Sequence, residues 1–233
     1  MPHHRVELGC VKLCRQMKLS FVWDFHGVLE KDNEKAVIDI SNQVLAQAGY
    51  KERFTNEDNE RYYGLKWYQY FERLLPKLSK EECLTFQAAC FKFAEDNLHI
   101  LAKHIKPNDH VTYVLTEIAN SGSQQIVISN TRQSDLIWFL ESIGIKEFFD
   151  DAHIIGVNAH QTHGSKADAL KDHLKNVHFE KIIVIGDSED DLRLGKEVSG
   201  TNYFYKHPHR KHENTRNADY VIKDLRAVLD ELK

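Results

Sequence analysis

The chain has 233 residues, with 42% hydrophobic and 28% charged residues and a formal net charge of −4. That is enough to bury one substantial core, or one core and a small second unit. The acidic balance argues against general nucleic-acid binding, which needs a basic surface, and no window reaches the ~18 consecutive apolar residues of a membrane-spanning helix. Met1 to Lys18 is broken by charge and lacks the apolar stretch of a signal peptide. Cys10, Cys14, Cys83 and Cys90 are too few and too irregular for a disulfide framework. Cys83 and Cys90 sit in a helical pattern and read as buried thiols; Cys10 and Cys14 have no second pair of ligands nearby. The chain reads as cytosolic.

The first eighteen residues show no periodicity and are read as a loosely ordered arm. Leu19, Phe21, Val22 and Trp23 then form a short apolar run that ends in Asp24, followed by Phe25, His26 and Gly27. Such runs, bounded by turn residues, suggest buried strands of a parallel sheet. From Asp32 to Lys103 the pattern is helical throughout. Val37, Ile40, Val44 and Ala48 mark one helix. Thr55 and Asp58 form a capping box for a second, expected to run through Tyr62, Leu65 and Tyr70 to Pro76. Ser79 and Glu82 repeat the box before a third, carrying Cys83, Phe86, Cys90 and Phe93.

Beyond Pro107, helix and strand alternate. Val111, Val114, Leu115 and Ile118 share one helix face, stopped by Ser121-Gly122. Gln125 to Ile128 is a strand ending in Ser129, Asn130 and Thr131. Leu136, Phe139, Leu140 and Ile143 make a helix with Ser134 as the expected N-cap and Gly144 past its end. Ala152 to Val157 is a weaker strand. Lys166 opens a helix bearing Leu170 and Leu174. Lys181 to Ile185 is a strand ending in Gly186, Asp187 and Ser188. Thr201 to Tyr205 is a further strand, and Leu225, Val228 and Leu229 a last helix. Alternation of this kind implies right-handed crossovers and a parallel sheet. The expected architecture is α/β: a doubly wound parallel-sheet core from residues 1–31 and 106–233, with an all-helical cap at 32–105 hinged near Leu29 to Lys35 and Lys103 to Asp109.

Ligands bind beyond the carboxyl ends of parallel strands, where strand order reverses. Three strands here end in polar groups: Asp24; Ser129 with Asn130 and Thr131; and Asp187. Asp24 and Asp187, with Asp190 and Asp191 close behind, form an oxygen-rich corner suited to Mg²⁺. Lys166 and a hydroxyl facing that corner would hold an anion. Carboxylate, Mg²⁺, lysine and hydroxyl together describe phosphoryl transfer through an aspartyl-phosphate.

These residues resemble the motifs of the haloacid dehalogenase superfamily. Asp24-Phe25-His26-Gly27-Val28-Leu29 matches its D-x-D-G-[TV]-L motif except at His26. Ile126 to Thr131 matches the second motif, Lys166 the third, and Gly186-Asp187-Ser188-Glu189-Asp190-Asp191 the G-D-S-x-x-D fourth. Ala218 to Leu225 is similar to the family's closing strand and helix. The likeness runs from Leu19 to the C-terminus and places the chain near the phosphoglycolate phosphatase and β-phosphoglucomutase branch, whose C1-type cap sits where the helical block lies.

The resemblance implies a Mg²⁺-dependent phosphatase acting on a small phosphorylated metabolite. Asp24 would be the nucleophile. The metal would be held by Asp24, the backbone carbonyl of His26 and Asp187, with Asp191 or its neighbour Asp190 in support. Ser129, Asn130, Lys166 and the Phe25 and Gly27 segment would bind the phosphoryl group. His26 replaces the family's acid–base aspartate, and imidazole, with an ordinary pKa of about 6.5, is competent for that work. Two other readings stand beside this one: a slow or inactive phosphate-binding protein, and a carbon–phosphorus hydrolase using the cap residue Lys66, for which a solvated lysine is the plainer expectation. Trp67, Tyr68, Tyr70 and Phe71 are expected to serve mainly as cap core, with Trp67 a pocket candidate. Arg61 and Arg73 are further charged candidates. The stretch His207 to His212 reads as a solvated loop, and His153, His160 and His163 lack metal-ligand spacing.

Overall fold

In the structure, a computed structural model, residues 18–62, 65–157, 165–175, 177, 179–208 and 214–233 are described. The N-terminal arm, Cys10, Cys14, His160, His163 and 209–213 lie outside them. The order is β1 (Leu19–Asp24), β2 (Glu30–Lys31), α1 (Asn33–Gln47), α2 (Asn56–Tyr62), α3 (Trp67–Leu74), α4 (Lys80–Asp96), α5 (Leu98–His104) and β3 (Lys106–Pro107). Then come α6 (Val111–Asn120), β4 (Gln124–Ser129), α7 (Gln133–Ser142), β5 (Ile154–Gly156), α8 (Lys166–Leu174), β6 (Lys181–Gly186), α9 (Glu189–Glu197), β7 (Thr201–Tyr205) and β8 (Tyr220–Ile222).

The main sheet has the order β5-β4-β1-β6-β7-β8, and every pair in it is parallel. The chain starts in the middle, builds outward through β4 and β5, then crosses back to β6. The switch in strand order therefore falls beside β1. Every residue of β1 is buried, because helices cover both faces and alternation with polar residues has no use there. Its odd positions, Leu19, Phe21 and Trp23, enter one apolar layer with residues of α6 and α7. Val22 enters the other, against Ala167 and Leu170 of α8 and Leu194 of α9. This is the α/β doubly wound arrangement the alternation implies.

The helices α1 to α5 follow one another without a strand, and their buried residues form a separate cluster that includes Ile40, Phe54, Phe71, Cys83 and Cys90. Both cysteines are buried free thiols, as expected. β2 and β3 pair antiparallel, Glu30 with Pro107 and Lys31 with Lys106, at the two passages into and out of this helical segment.

Several local expectations are corrected. The Thr55–Asp58 box forms, but the helix after it ends at Tyr62 and a separate helix begins at Trp67. The break separates a polar, charge-rich stretch from the aromatic one. α5 is an additional helix. α7 is capped by Arg132, not Ser134, and the Arg132 guanidinium instead grips Asp135. The segment Leu225–Leu232 is a 3-10 helix. Among the described residues no helix is long and apolar enough to cross a membrane.

Candidate active site

Asp24 is the last residue of β1 and pairs in register with Ile128, one residue before Ser129. Trp23 pairs with Ile185, which places Asp187 just beyond the same sheet edge. Lys166 arrives from the first turn of α8, which is fixed by a capping box between Ser165 and Asp168. A second box, between Ser188 and Asp191, turns the Asp191 carboxylate back toward β6. Three distant segments thus deliver charged groups to one place, and β4 brings Ser129 beside them.

The Lys166 ammonium donates to Asp24 Oδ1 at 2.6 Å and to Asp191 Oδ1 at 2.9 Å. Asp191 also accepts from the Ser188 hydroxyl at 2.5 Å. Asp190 is exposed and paired with Arg193, so Asp191 is the one that joins the cluster. Asp24, Asp187 and Asp191, all buried, each offer an oxygen within 4.8 Å of the others. Three buried carboxylates face one lysine, an imbalance that low-dielectric surroundings do not tolerate cheaply. Burial, with Asp191 and then Asp187 adding like charge against the pull of Lys166, pushes the Asp24 carboxyl up to about 7. Burial alone would lower Lys166, but Asp191 and Asp24 outweigh it and hold the ammonium above its ordinary range. Hard oxygen donors with excess negative charge fit a divalent cation such as Mg²⁺.

Gly27 sits in the left-handed region, at a φ of 82°, and a Cβ there would collide with the Asp187 carboxylate. Only glycine allows the turn after Asp24 to lie this close. Its amide donates to Glu30 Oε1 at 3.1 Å. The Phe25 side chain is fully buried against Phe139, so that residue faces the core. The Phe25 carbonyl accepts the amides of Val28, Leu29 and Glu30, which closes the turn and brings Glu30 back under His26.

The His26 ring is held at both nitrogens, Nδ1 against Glu30 Oε1 at 3.0 Å and Nε2 against Thr131 Oγ1 at 3.1 Å. Thr131 Oγ1 lies 3.0 Å from Ser129 Oγ. A cavity of about 330 Å³ opens onto these groups, with Ser129, Asn130, Lys166 and Asp187 on the sheet side and Glu34, Val37, Trp67 and Tyr70 on the helical side. A second cavity, of about 270 Å³, adjoins it on the His26 side and is walled largely by Val37, Ile40, Trp67, Phe91, Leu98 and Phe139. Trp67 lines both cavities and donates its indole N–H to Ser41; Lys66 is exposed and lines neither. Arg61 and Arg73 lie over the Tyr62 ring.

Two contributors, Glu30 and His207, escaped the sequence reading, and Thr131, placed at the ligand edge with Ser129 and Asn130, is given no role of its own there. The contacts of Glu30 and Thr131 depend on the turn after Asp24 and the loop after β4. His207, expected on a solvated loop, is buried with Nε2 2.9 Å from Asp187 Oδ2. The parallel β7 carries its loop to the same sheet edge, and position relative to that edge was the available signal. His153 pairs with His173, away from this cluster.

The family profile of haloacid dehalogenase-like hydrolases matches residues 21–206. No curated protein sequence matched the chain. Among solved structures, a candidate phosphatase from Clostridium difficile superposes with a TM-score of 0.76 at 15% identity, covering 94% of this chain and 100% of that one. A predicted phosphoglycolate phosphatase from Haemophilus somnus gives 0.72 at 14% identity, over 94% and 100%. A haloacid dehalogenase-like family hydrolase from Streptococcus pneumoniae gives 0.71 at 16% identity, over 93% and 99%. These likenesses confirm the fold, and the profile match, spanning every strand end that carries a charged group of the site, shows that the chain belongs to the haloacid dehalogenase-like hydrolase family.

Proposed function

We propose that the protein is a phosphatase that hydrolyses a small phosphomonoester through an aspartyl-phosphate on Asp24, with Mg²⁺ as its metal. The observation that carries this reading is the convergence of Asp24, Asp187, Asp191 and Lys166 at one sheet edge, beside a cavity also lined by Ser129 and His26. The names given to the Clostridium difficile and Haemophilus somnus structures agree with it.

Asp24, the His26 carbonyl and Asp187 would hold the metal, with Asp191 behind them; when bound it supplies charge neutralisation for the phosphoryl oxygens. The Asp24 carboxylate attacks phosphorus in line, and the bond to the leaving oxygen breaks. That oxygen takes the Nε2 proton of doubly protonated His26, which is left neutral with its remaining hydrogen on Nδ1. A water molecule then gives a proton back to Nε2 and attacks phosphorus, and the bond to Asp24 breaks to release inorganic phosphate. Lys166 and the Ser129 hydroxyl steady the oxygens through both steps, a preorganised arrangement that favours the transition state. Asn130 lines both cavities, and its amide would contact the substrate there.

Residues 32–105 would act as the cap over a core of 1–31 and 106–233. The separate apolar cluster of α1 to α5, and the cavities between those helices and the sheet edge, support this division. The test is Mg²⁺-dependent hydrolysis of p-nitrophenyl phosphate by wild type and Asp24→Asn. Turnover that needs both the metal and Asp24 supports the reading. Phosphate binding without turnover would replace it with a phosphate-binding protein.

A further inference from the structure

Glu30 has no part in the reaction just described, yet its side chain is fully buried beside the reacting groups. A buried carboxylate is costly unless it is well partnered. Glu30 Oε1 accepts the Gly27 amide at 3.1 Å and lies 3.0 Å from His26 Nδ1. Its Oε2 is buried without a hydrogen-bond partner among the described residues. An apolar side chain would fill this space without that penalty, so packing alone does not account for Glu30.

The direction of the contact follows from the donors. The Gly27 N–H can only donate, so Oε1 is an acceptor, and the nearby His26 Nδ1 must carry a hydrogen to complete the bond. The other nitrogen, Nε2, then accepts from the Thr131 hydroxyl at 3.1 Å, a partner that a substrate oxygen or water can replace, and His26 lines the cavity. Phe25 and Phe139 meet the imidazole edge-on, at centroid distances of 5.0 and 5.7 Å, and restrict its tilt. An imidazole whose tautomer is fixed by a carboxylate at its far nitrogen keeps one nitrogen permanently aimed at the reaction.

We propose that Glu30 is a positioning residue for His26, fixing the tautomer with hydrogen on Nδ1 so that Nε2 alone exchanges protons with the leaving group and with water. The inference rests on the reading of His26 as the acid–base group. The proton that leaves Nε2 in the first half is replaced from water in the second, while the Nδ1 hydrogen stays on Nδ1, donated to Glu30 Oε1, throughout. The ring need not turn between the two steps.

Two variants separate this role from a structural one. Glu30→Gln keeps an oxygen that can accept from Nδ1; Glu30→Leu does not. The first readout is ¹⁵N NMR of histidine-labelled protein, with the His26 signal identified by its loss in His26→Asn. In the neutral ring, wild type and Glu30→Gln should show the Nδ1–H tautomer, and Glu30→Leu a mixture of tautomers. The second compares phenyl phosphate, whose leaving oxygen needs a proton, with p-nitrophenyl phosphate, whose leaving group departs more easily. Glu30→Leu should lower kcat for phenyl phosphate by roughly a hundredfold, with p-nitrophenyl phosphate affected several-fold less and Glu30→Gln recovering most of the loss. Equal loss on both substrates, or a neutral wild-type His26 whose single hydrogen lies on Nε2, would overturn the proposal. Absence of any hydrolysis by wild type would sink the phosphatase reading, and the NMR would still decide the tautomer.

Discussion

The charge imbalance at the sheet edge makes metal binding sensitive to pH in a calculable way. Metal-free, the Asp24 carboxyl sits at about 7 because it is buried beside Asp191 and Asp187. A divalent cation needs the ionised form, so it must displace the proton. With that value, proton competition weakens binding about elevenfold near pH 6 and hardly at all near pH 8, so the apparent Mg²⁺ affinity should rise about tenfold between them. Isothermal titration in two buffers of different ionisation enthalpy counts the released protons directly. Close to one proton should leave near pH 6 and few near pH 8. At about 100 times the dissociation constant, Mg²⁺ should add ~2.7 kcal/mol, or about 5–10 °C in Tm for a chain of this size. Equal affinity at the two pH values would refute the reasoning. So would the same proton release from Asp24→Asn, since the titrating group would then lie elsewhere.

Other expectations follow from the same geometry. Without metal, the raised Asp24 pKa means that the folded state binds more protons than the unfolded state between about pH 4 and 7, so stability should fall as pH rises through that window; chemical denaturation at several pH values measures it, and a rise would contradict the sign. Gly27→Ala should be destabilised by at least ~1 kcal/mol, from left-handed backbone strain and the collision with Asp187, and should bind Mg²⁺ less tightly. Ile128→Ala removes a fully buried side chain from the layer shared with α8 and should cost about 2–5 kcal/mol in denaturant titration. Trp67→Ala should raise KM for aryl phosphates more than it lowers kcat, because Trp67 lines both cavities from the helical side, opposite Asp24 and Lys166.

Much of the site was legible because a parallel sheet converts sequence into position simply. An apolar run that stops at a carboxylate puts that carboxylate at the ligand edge, and Asp24, Ser129 and Asp187 followed directly. The choice between Asp190 and Asp191 was also written in the chain, as Ser188 and Asp191 have the spacing of a capping box and Asp190 does not. What stayed hidden depended on loop paths. Glu30 returns to His26 only because three successive amides converge on the Phe25 carbonyl, a turn that no periodicity announces. His207 is one of several histidines in a polar stretch, and nothing local separates it from its neighbours until β7 is placed. The break between α2 and α3 was not expected because Tyr62, Leu65 and Tyr70 read as one helix face, although the residues before Tyr62 are polar and charged.

The position of β1 in the middle of the sheet has a consequence for how the protein comes to be active. Lys166 and Asp24 are separated by 142 residues and still share a hydrogen bond. Closing so long a loop is entropically expensive before the contacts that reward it have formed, and sheets assembled from such distant pieces are slow to fold. The helices α1 to α5 are adjacent in sequence and meet their partners sooner. During synthesis the helical segment can therefore take shape while the catalytic edge is still in pieces, since β6 must be present before Asp187 and Asp191 can approach Asp24. Partial folding should yield no partial activity, and recovery of turnover after denaturation reports closure of the whole sheet rather than of any one part.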